Sequence, residues 1–289
     1  MTGTVHHRTV TVNGLDVFYR EAGDPQAPVL VLLHGFPTSS HMFRDLIPAL
    51  ADRYRVIAPD HIGFGQSAMP GLDAFPYTFD ALTDVTAGLL DQLGVDRFAM
   101  YVQDYGAPIG WRLALRSPQR VTAIITQNGN AYTDGFVKPF WDGVFAYTDA
   151  PGPQTEPAVR FALTEEATRW QYLNGVADPT LVSPDTWVHD QALLDRPGND
   201  VIQLKLFRDY PTNVELYPEV HAYFRDSQVP LLAVWGANDE IFGPDGARAF
   251  QRDLPDAEIH LVDSGHFALE SHLDAVAQYI RAFLGRVLA

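Results

Sequence analysis

The chain has 289 residues, 46% hydrophobic and 19% charged, proportions that suit a globular protein with a large buried core. Its 20 basic and 36 acidic side chains leave a formal net charge of −16, which argues against binding nucleic acid or an anionic membrane face through bulk electrostatics. The absence of cysteine excludes disulfides, thiolate chemistry and cysteine-ligated zinc.

The opening MTGTVHHRTV is polar and shows no apolar core of a secretory signal. No run approaches the roughly 18 apolar residues of a membrane span, so a cytoplasmic protein is expected. Asn13-Gly14, between Thr9–Val12 and Leu15–Glu21, predicts a β-hairpin. Val29–Leu33 is a short unbroken apolar run, the signature of a strand buried on both faces, and Arg55–Pro59, Phe98–Val102 and Val121–Thr126 read the same way. Between them, Thr78–Leu93 places Leu82, Val85, Leu89 and Leu93 on one helical face. Alternating strands and helices predict a parallel sheet with helices on both sides. From about Ala131 to Asp226 the rhythm lapses into aromatic-rich segments, with Pro151–Pro157 reading as a loop. It returns with Leu231–Trp235 and Glu258–Val262. The chain closes on an amphipathic helix bearing Leu269, Leu273, Val276, Ile280 and Phe283. The expected organisation is an α/β core of residues 1–130 and 227–289, interrupted by a mostly helical cap, 131–226.

Four local features carry chemistry, and each follows a predicted strand. Val102-Gln103-Asp104-Tyr105-Gly106 has the strand-to-helix context of a nucleophile elbow, with Asp104 at its centre and Val102 in place of the usual first glycine. His34-Gly35-Phe36-Pro37 stands where a loop donates an oxyanion-hole N–H. The two donors are therefore assigned to the backbones of Phe36 and Tyr105. Gly265-His266-Phe267 places a histidine where a general base belongs, and Asp239 in Gly236-Ala237-Asn238-Asp239 is suited to hold its tautomer. Taken singly, Asp104 reads equally as a helix N-cap, HGFP as an ordinary turn, His266 as a surface histidine and Asp239 as a turn residue. Together they follow the chain order nucleophile, acid, histidine of α/β-hydrolases.

On these residues the chain resembles the epoxide hydrolase and haloalkane dehalogenase branch of the α/β-hydrolase superfamily, over nearly its whole length. The resemblance takes in HGFP at 34–37, the run Asp60-His61-Ile62-Gly63-Phe64-Gly65-Gln66-Ser67, the aspartate elbow, the cap and the final GHF. It implies the α/β-hydrolase fold, with Asp104, Asp239 and His266 as the catalytic set. The Asp60–Ser67 run is read as structural, its glycines permitting tight turns, and Asp60 and His61 stay outside that set.

A carboxylate nucleophile suits displacement at sp³ carbon, whereas its attack on an ester would give a reactive anhydride. The expected product is an alkyl ester of Asp104. Water activated by His266 then hydrolyses it while the oxyanion hole stabilises the tetrahedral charge. Haloalkane dehalogenases commonly place a tryptophan after the nucleophile, and this chain has Tyr105; Phe36 replaces a frequent asparagine. Fluoroacetate dehalogenases share HGFP but place arginines after the nucleophile, where Tyr105 and Pro108 stand here. Epoxide hydrolases use cap tyrosines to protonate the opening oxygen. At their typical Tyr-Arg pair this chain reads Phe207-Arg208, with Tyr210 one turn further on.

Epoxide opening is therefore the expected chemistry, dehalogenation the alternative. A catalytically inactive ligand-binding homologue, or an oxygenase on the same fold, is the reading from another class. Tyr172 and Tyr210 are the preferred proton donors, with Tyr147 in reserve; Tyr147, Trp170, Tyr172 and Tyr210 are expected to line the substrate site. Substrates should be small and largely apolar. No cofactor or metal is expected, since the histidines lack ligand-like clustering. No nucleic-acid or membrane partner is expected either, and a homodimer is one option for the assembly.

Overall fold

The computed structural model describes residues 3–288. Asn13 and Gly14 both take positive φ, 52° and 82°, the twist that suits a two-residue hairpin. They join β1 (His6–Val12) to β2 (Leu15–Ala22). The strand starts earlier than its apolar pattern suggested because His6 and His7 pair with Glu21 and Arg20 on an exposed edge, where no side chain need be buried. The remaining strands are β3 (Val29–Leu33), β4 (Arg55–Pro59), β5 (Phe98–Gln103), β6 (Val121–Gln127), β7 (Leu231–Gly236) and β8 (Glu258–Val262).

These form an eight-stranded sheet in the order β1-β2-β4-β3-β5-β6-β7-β8, parallel from β4 onward. Period-two alternation sends Val31, Leu33, Met100, Val102 and Ile124 to one face and Leu30, Leu32, Ala99, Tyr101 and Ile125 to the other. Both faces are covered by helices, which is why these strands read as unbroken apolar runs. After β3 the chain turns first to β4 on one side and then to β5 on the other. A crevice opens at such a switch point, beyond the carboxyl ends of the strands.

All elements between β6 and β7 are helical or short turns: Lys138–Asp149, Glu156–Phe161, Glu165–Leu173, Pro184–Leu194, Asn199–Asp209 and Pro211–Ser227 are the α-helices. The predicted loop at Pro151–Pro157 ends early, because Pro157 lies in the first turn of the helix Glu156–Phe161. Proline is accommodated there, where its missing N–H has no partner to lose. The helical segment is tied down over the strand ends. Arg196 Nη1 donates to the Gly65 carbonyl at 3.0 Å, and Asn199 Nδ2 to that of Gly63 at 3.2 Å. Asp209 Oδ2 accepts the N–H of Phe79 at 2.8 Å.

The Asp60–Ser67 run is the platform for the ties from Arg196 and Asn199. Asp60 accepts the N–H groups of Ser40 and Gln66, both at 2.7 Å, and a side chain on Gly65 would strike its carboxylate. Among the described residues no helix is long and apolar enough to cross a membrane.

Candidate active site

β5 delivers Asp104 to the crevice. The residue takes φ 47°, left-handed for a residue with a side chain. Only then does the helix Gly106–Arg116 begin. The N-cap position falls on Tyr105 with no side-chain cap bond, so Asp104 does not serve as the cap. Its carboxylate points instead at the β3 loop, where Oδ1 accepts the N–H of Phe36 at 2.7 Å. A second backbone donor is Tyr105. Gly35 is required by close approach: any side chain there would collide with the Asp104 side chain and with Gln103 Oε1.

His266 enters from the turn after β8 and is buried. Its Nδ1 lies 2.8 Å from Asp239 Oδ2, the contact that an orienting acid must make, and its Nε2 lies 3.9 Å from Asp104 Oδ2. Asp239 is itself held on every side. Oδ1 accepts the N–H of Ile241 and Oδ2 accepts Asn128 Nδ2, both at 2.7 Å. Asn128, at φ 48° after β6, uses its own Oδ1 to accept the N–H of Gly236 at 2.9 Å. An amide cannot carry the charge of an acid, and here it bonds Asp239. Gln127 Nε2 donates to the His266 carbonyl at 2.7 Å, so the end of β6 holds both partners.

Burial pushes the Asp104 carboxyl upward, offset in part by the charge of His266 and by the N–H groups of Phe36 and Tyr105. For His266 burial acts downward. The charge and hydrogen bond of Asp239, with the charge of Asp104, outweigh it, and the imidazole lies above its ordinary 6.5.

The four aromatic residues expected to line the site part company. Tyr210 closes the helix Asn199–Asp209 and packs among the aromatic rings beside the elbow. Its ring lies 6.2 Å from that of Tyr105 and 4.4 Å from Trp141. Burial raises its hydroxyl pKa most, followed by Tyr217 and then the charge of Asp104. Tyr172 is not brought there. Its hydroxyl donates to Asp190 Oδ2 at 2.5 Å, and its ring stacks on Phe267 at 4.1 Å. A phenol already committed to a buried carboxylate is not free to protonate a leaving oxygen, so the preference for Tyr172 as a donor is corrected. The charged neighbours of Tyr147 are Glu156, Arg208 and Arg160, all in the helical segment, and not Asp104.

Trp170 and Gln171 line a cavity of about 740 Å³ walled by Phe140, Val144, Val159 and Ala162. The same two residues also lie close to Asp239 and His266, with no room for a water molecule between them. Two further aromatic contacts belong to the site. Phe207 packs edge-on against Phe36 at 5.4 Å. The hydroxyl of Tyr105 is buried without a hydrogen-bond partner.

The sheet order, the elbow and the late histidine define an α/β-hydrolase. A family model described as alpha/beta hydrolase fold matches residues 28–273, and the chain belongs to that family. It is 44% identical over 279 residues to an uncharacterized hydrolase of Saccharomyces cerevisiae, covering 95% of both chains. It is 29% identical to a haloalkane dehalogenase of Mesorhizobium japonicum, over 93% of this chain and 88% of the other. Among solved structures it resembles the haloalkane dehalogenase DbeA of Bradyrhizobium elkani, with a TM-score of 0.81 at 25% identity, covering 99% and 98% of the two chains.

Proposed function

We propose that the protein hydrolyses small, largely apolar substrates through a covalent alkyl ester on Asp104, with opening of an epoxide as the first step. One observation carries this reading. Asp104 Oδ1 already sits on the Phe36 N–H at 2.7 Å, while Oδ2 lies 3.9 Å from the base. Oδ2 is the oxygen left to attack carbon. Oδ1 then becomes the ester carbonyl oxygen, and the N–H donors that held it stabilise its charge when water adds to Cγ. Asp239 keeps His266 in the tautomer whose Nε2 is free of hydrogen, so that nitrogen takes the proton of the water.

An epoxide oxygen leaves as a strongly basic alkoxide and needs a proton. Tyr210 is the tyrosine of the helical segment that feels the charge of Asp104. The apolar cavity beside Trp170 supports an apolar substituent on the substrate. A second reading, halide as leaving group, is favoured by the unpartnered Tyr105 hydroxyl beside the nucleophile. Several relatives are named as haloalkane dehalogenases.

Tyr210→Phe separates the two. Epoxide opening should fall by about two orders of magnitude, within the usual range for a lost general acid, while any haloalkane turnover is unchanged. Unaltered epoxide turnover in Tyr210→Phe, or halide release with inert epoxides, would put dehalogenation in its place.

A further inference from the structure

Gln103 directly precedes the nucleophile, and its side chain has no task in the reaction described so far. It is fully buried at the end of β5. Its Nε2 lies 2.8 Å from His266 Nε2, while its Oε1 has no hydrogen-bond partner. A buried acceptor left open is unfavourable. The position of that oxygen is informative. A methyl group on Gly35 would collide both with Gln103 Oε1 and with the Asp104 carboxylate, so the amide reaches from the base to the edge of the nucleophile.

We propose that Gln103 positions the water that hydrolyses the Asp104 ester; this rests on the covalent reading above. With Nδ1–H donating to Asp239, Nε2 of His266 presents one lone pair, and the Gln103 amide N–H fills it in the resting enzyme. A base whose lone pair is filled takes no proton. When water enters beside the ester it displaces that N–H. One hydrogen of the water then points to His266 Nε2 and the other to Gln103 Oε1. Two fixed acceptors leave a lone pair of the water aimed at Asp104 Cγ.

The step balances. The water oxygen bonds to Cγ as His266 Nε2 takes the first hydrogen. The tetrahedral adduct then breaks its bond to the alkyl oxygen, which leaves with the second hydrogen as the alcohol. Asp104 returns as a carboxylate, and the proton on His266 passes to solvent, or to the tyrosinate if a tyrosine opened an epoxide. The open Oε1 thereby gains the partner it lacks in the resting state.

The test uses rapid quenching and intact mass to follow formation and decay of the Asp104 ester, with styrene oxide and 1-bromobutane as probes. Gln103→Leu should leave ester formation within about threefold of wild type and slow its decay by about 10- to 100-fold, the scale of a misplaced reactant. The ester then accumulates, and kcat falls together with KM. Gln103→Glu keeps an acceptor oxygen and adds a charge beside His266. It should recover most of the decay rate, with the pH midpoint of decay moved upward.

A merely structural role for Gln103 would slow formation and decay alike. If Gln103→Leu does not fold, Gln103→Glu decides: decay slowed no more than formation, with formation near wild type, sustains the role, and formation slowed as much as decay overturns it. Ester that decays at the wild-type rate in Gln103→Leu overturns this role alone. Absence of any ester, in wild type and in His266→Gln, with a probe that the wild type turns over, overturns the covalent reading and this one with it.

Discussion

Asp239→Asn is the substitution whose consequences can be followed atom by atom. The carboxylate accepts three hydrogen bonds: Ile241 N–H on Oδ1, and Asn128 Nδ2 and His266 Nδ1 on Oδ2. A carboxamide has one acceptor oxygen and one NH₂ group in the same space. If the oxygen takes the Oδ2 position, the NH₂ faces the N–H of Ile241. If it takes the Oδ1 position, the NH₂ faces Asn128 and His266, and the imidazole must adopt the other tautomer or turn away. Either arrangement buries at least one unpaired donor, at a cost of about 1–3 kcal/mol.

For a chain of this length that lowers Tm by a few degrees, on the order of 2–4 °C per kcal/mol. The kinetic cost is larger. Loss of the charge and of the correct tautomer should slow ester hydrolysis by up to about 10⁴-fold, the scale of the analogous change in a serine triad. Formation of the ester, which does not use the base, should change by no more than about tenfold on the same reasoning. Thermal unfolding and single-turnover kinetics with mass detection read the two effects separately. Full hydrolysis in Asp239→Asn, with the substitution verified, refutes the assignment of the acid.

Other expectations follow from the same contacts. Tyr172→Phe removes the hydrogen bond to Asp190 Oδ2, on a carboxyl that burial pushes up to about 7 and whose Oδ1 is already unpaired. It should therefore lower stability by about 1–3 kcal/mol, seen as a fall in Tm, while epoxide opening changes far less than in Tyr210→Phe. The imidazole of His266 is held above its ordinary 6.5, in part by the charge of Asp104. Hydrolysis needs it neutral, so ester decay should rise with pH. Esterification removes the Asp104 charge. The midpoint for decay should therefore lie below the His266 pKa that NMR titration finds in the free enzyme.

The same shift bears on stability. A raised folded pKa contributes stability that is complete below the unfolded value near 6.5 and is lost as pH rises through the folded one. In His266→Gln that part of the pH dependence of unfolding should vanish.

The core was legible because its strands are buried on both faces. Val29–Leu33 and Arg55–Pro59 coincide with β3 and β4, since parallel strands under two helical layers are largely apolar, whereas Glu258–Val262 coincides with β8, a half-buried edge strand in which polar residues alternate with apolar ones. Residues flanking such strands are few and lie at their carboxyl ends, so Asp104, His34–Pro37, Asp239 and His266 could be picked out by position alone. The helical segment was less legible. On the helix Glu165–Leu173, Thr168, Gln171 and Tyr172 are all buried, and burial by itself does not say whether a side chain faces a cavity or another buried group. Tyr172 turned out to face Asp190 and Phe267. Tyr210 gave the better signal, lying at the end of a helix that carries Phe207 onto Phe36. Gln103 had a signal that went unused. Along β5, Tyr101 and Gln103 alternate with apolar residues, and a glutamine at the buried end of a strand needs partners.

The central claim is the covalent bond between substrate and Asp104, and the mass of His266→Gln after exposure to substrate tests it most directly. Displacement does not use His266, while hydrolysis needs it as the base. The variant should therefore gain the mass of one alkyl group and keep it, with the added mass mapping to Asp104. An unmodified mass, with a substrate that the wild-type enzyme turns over, or an adduct on any other residue, contradicts the account.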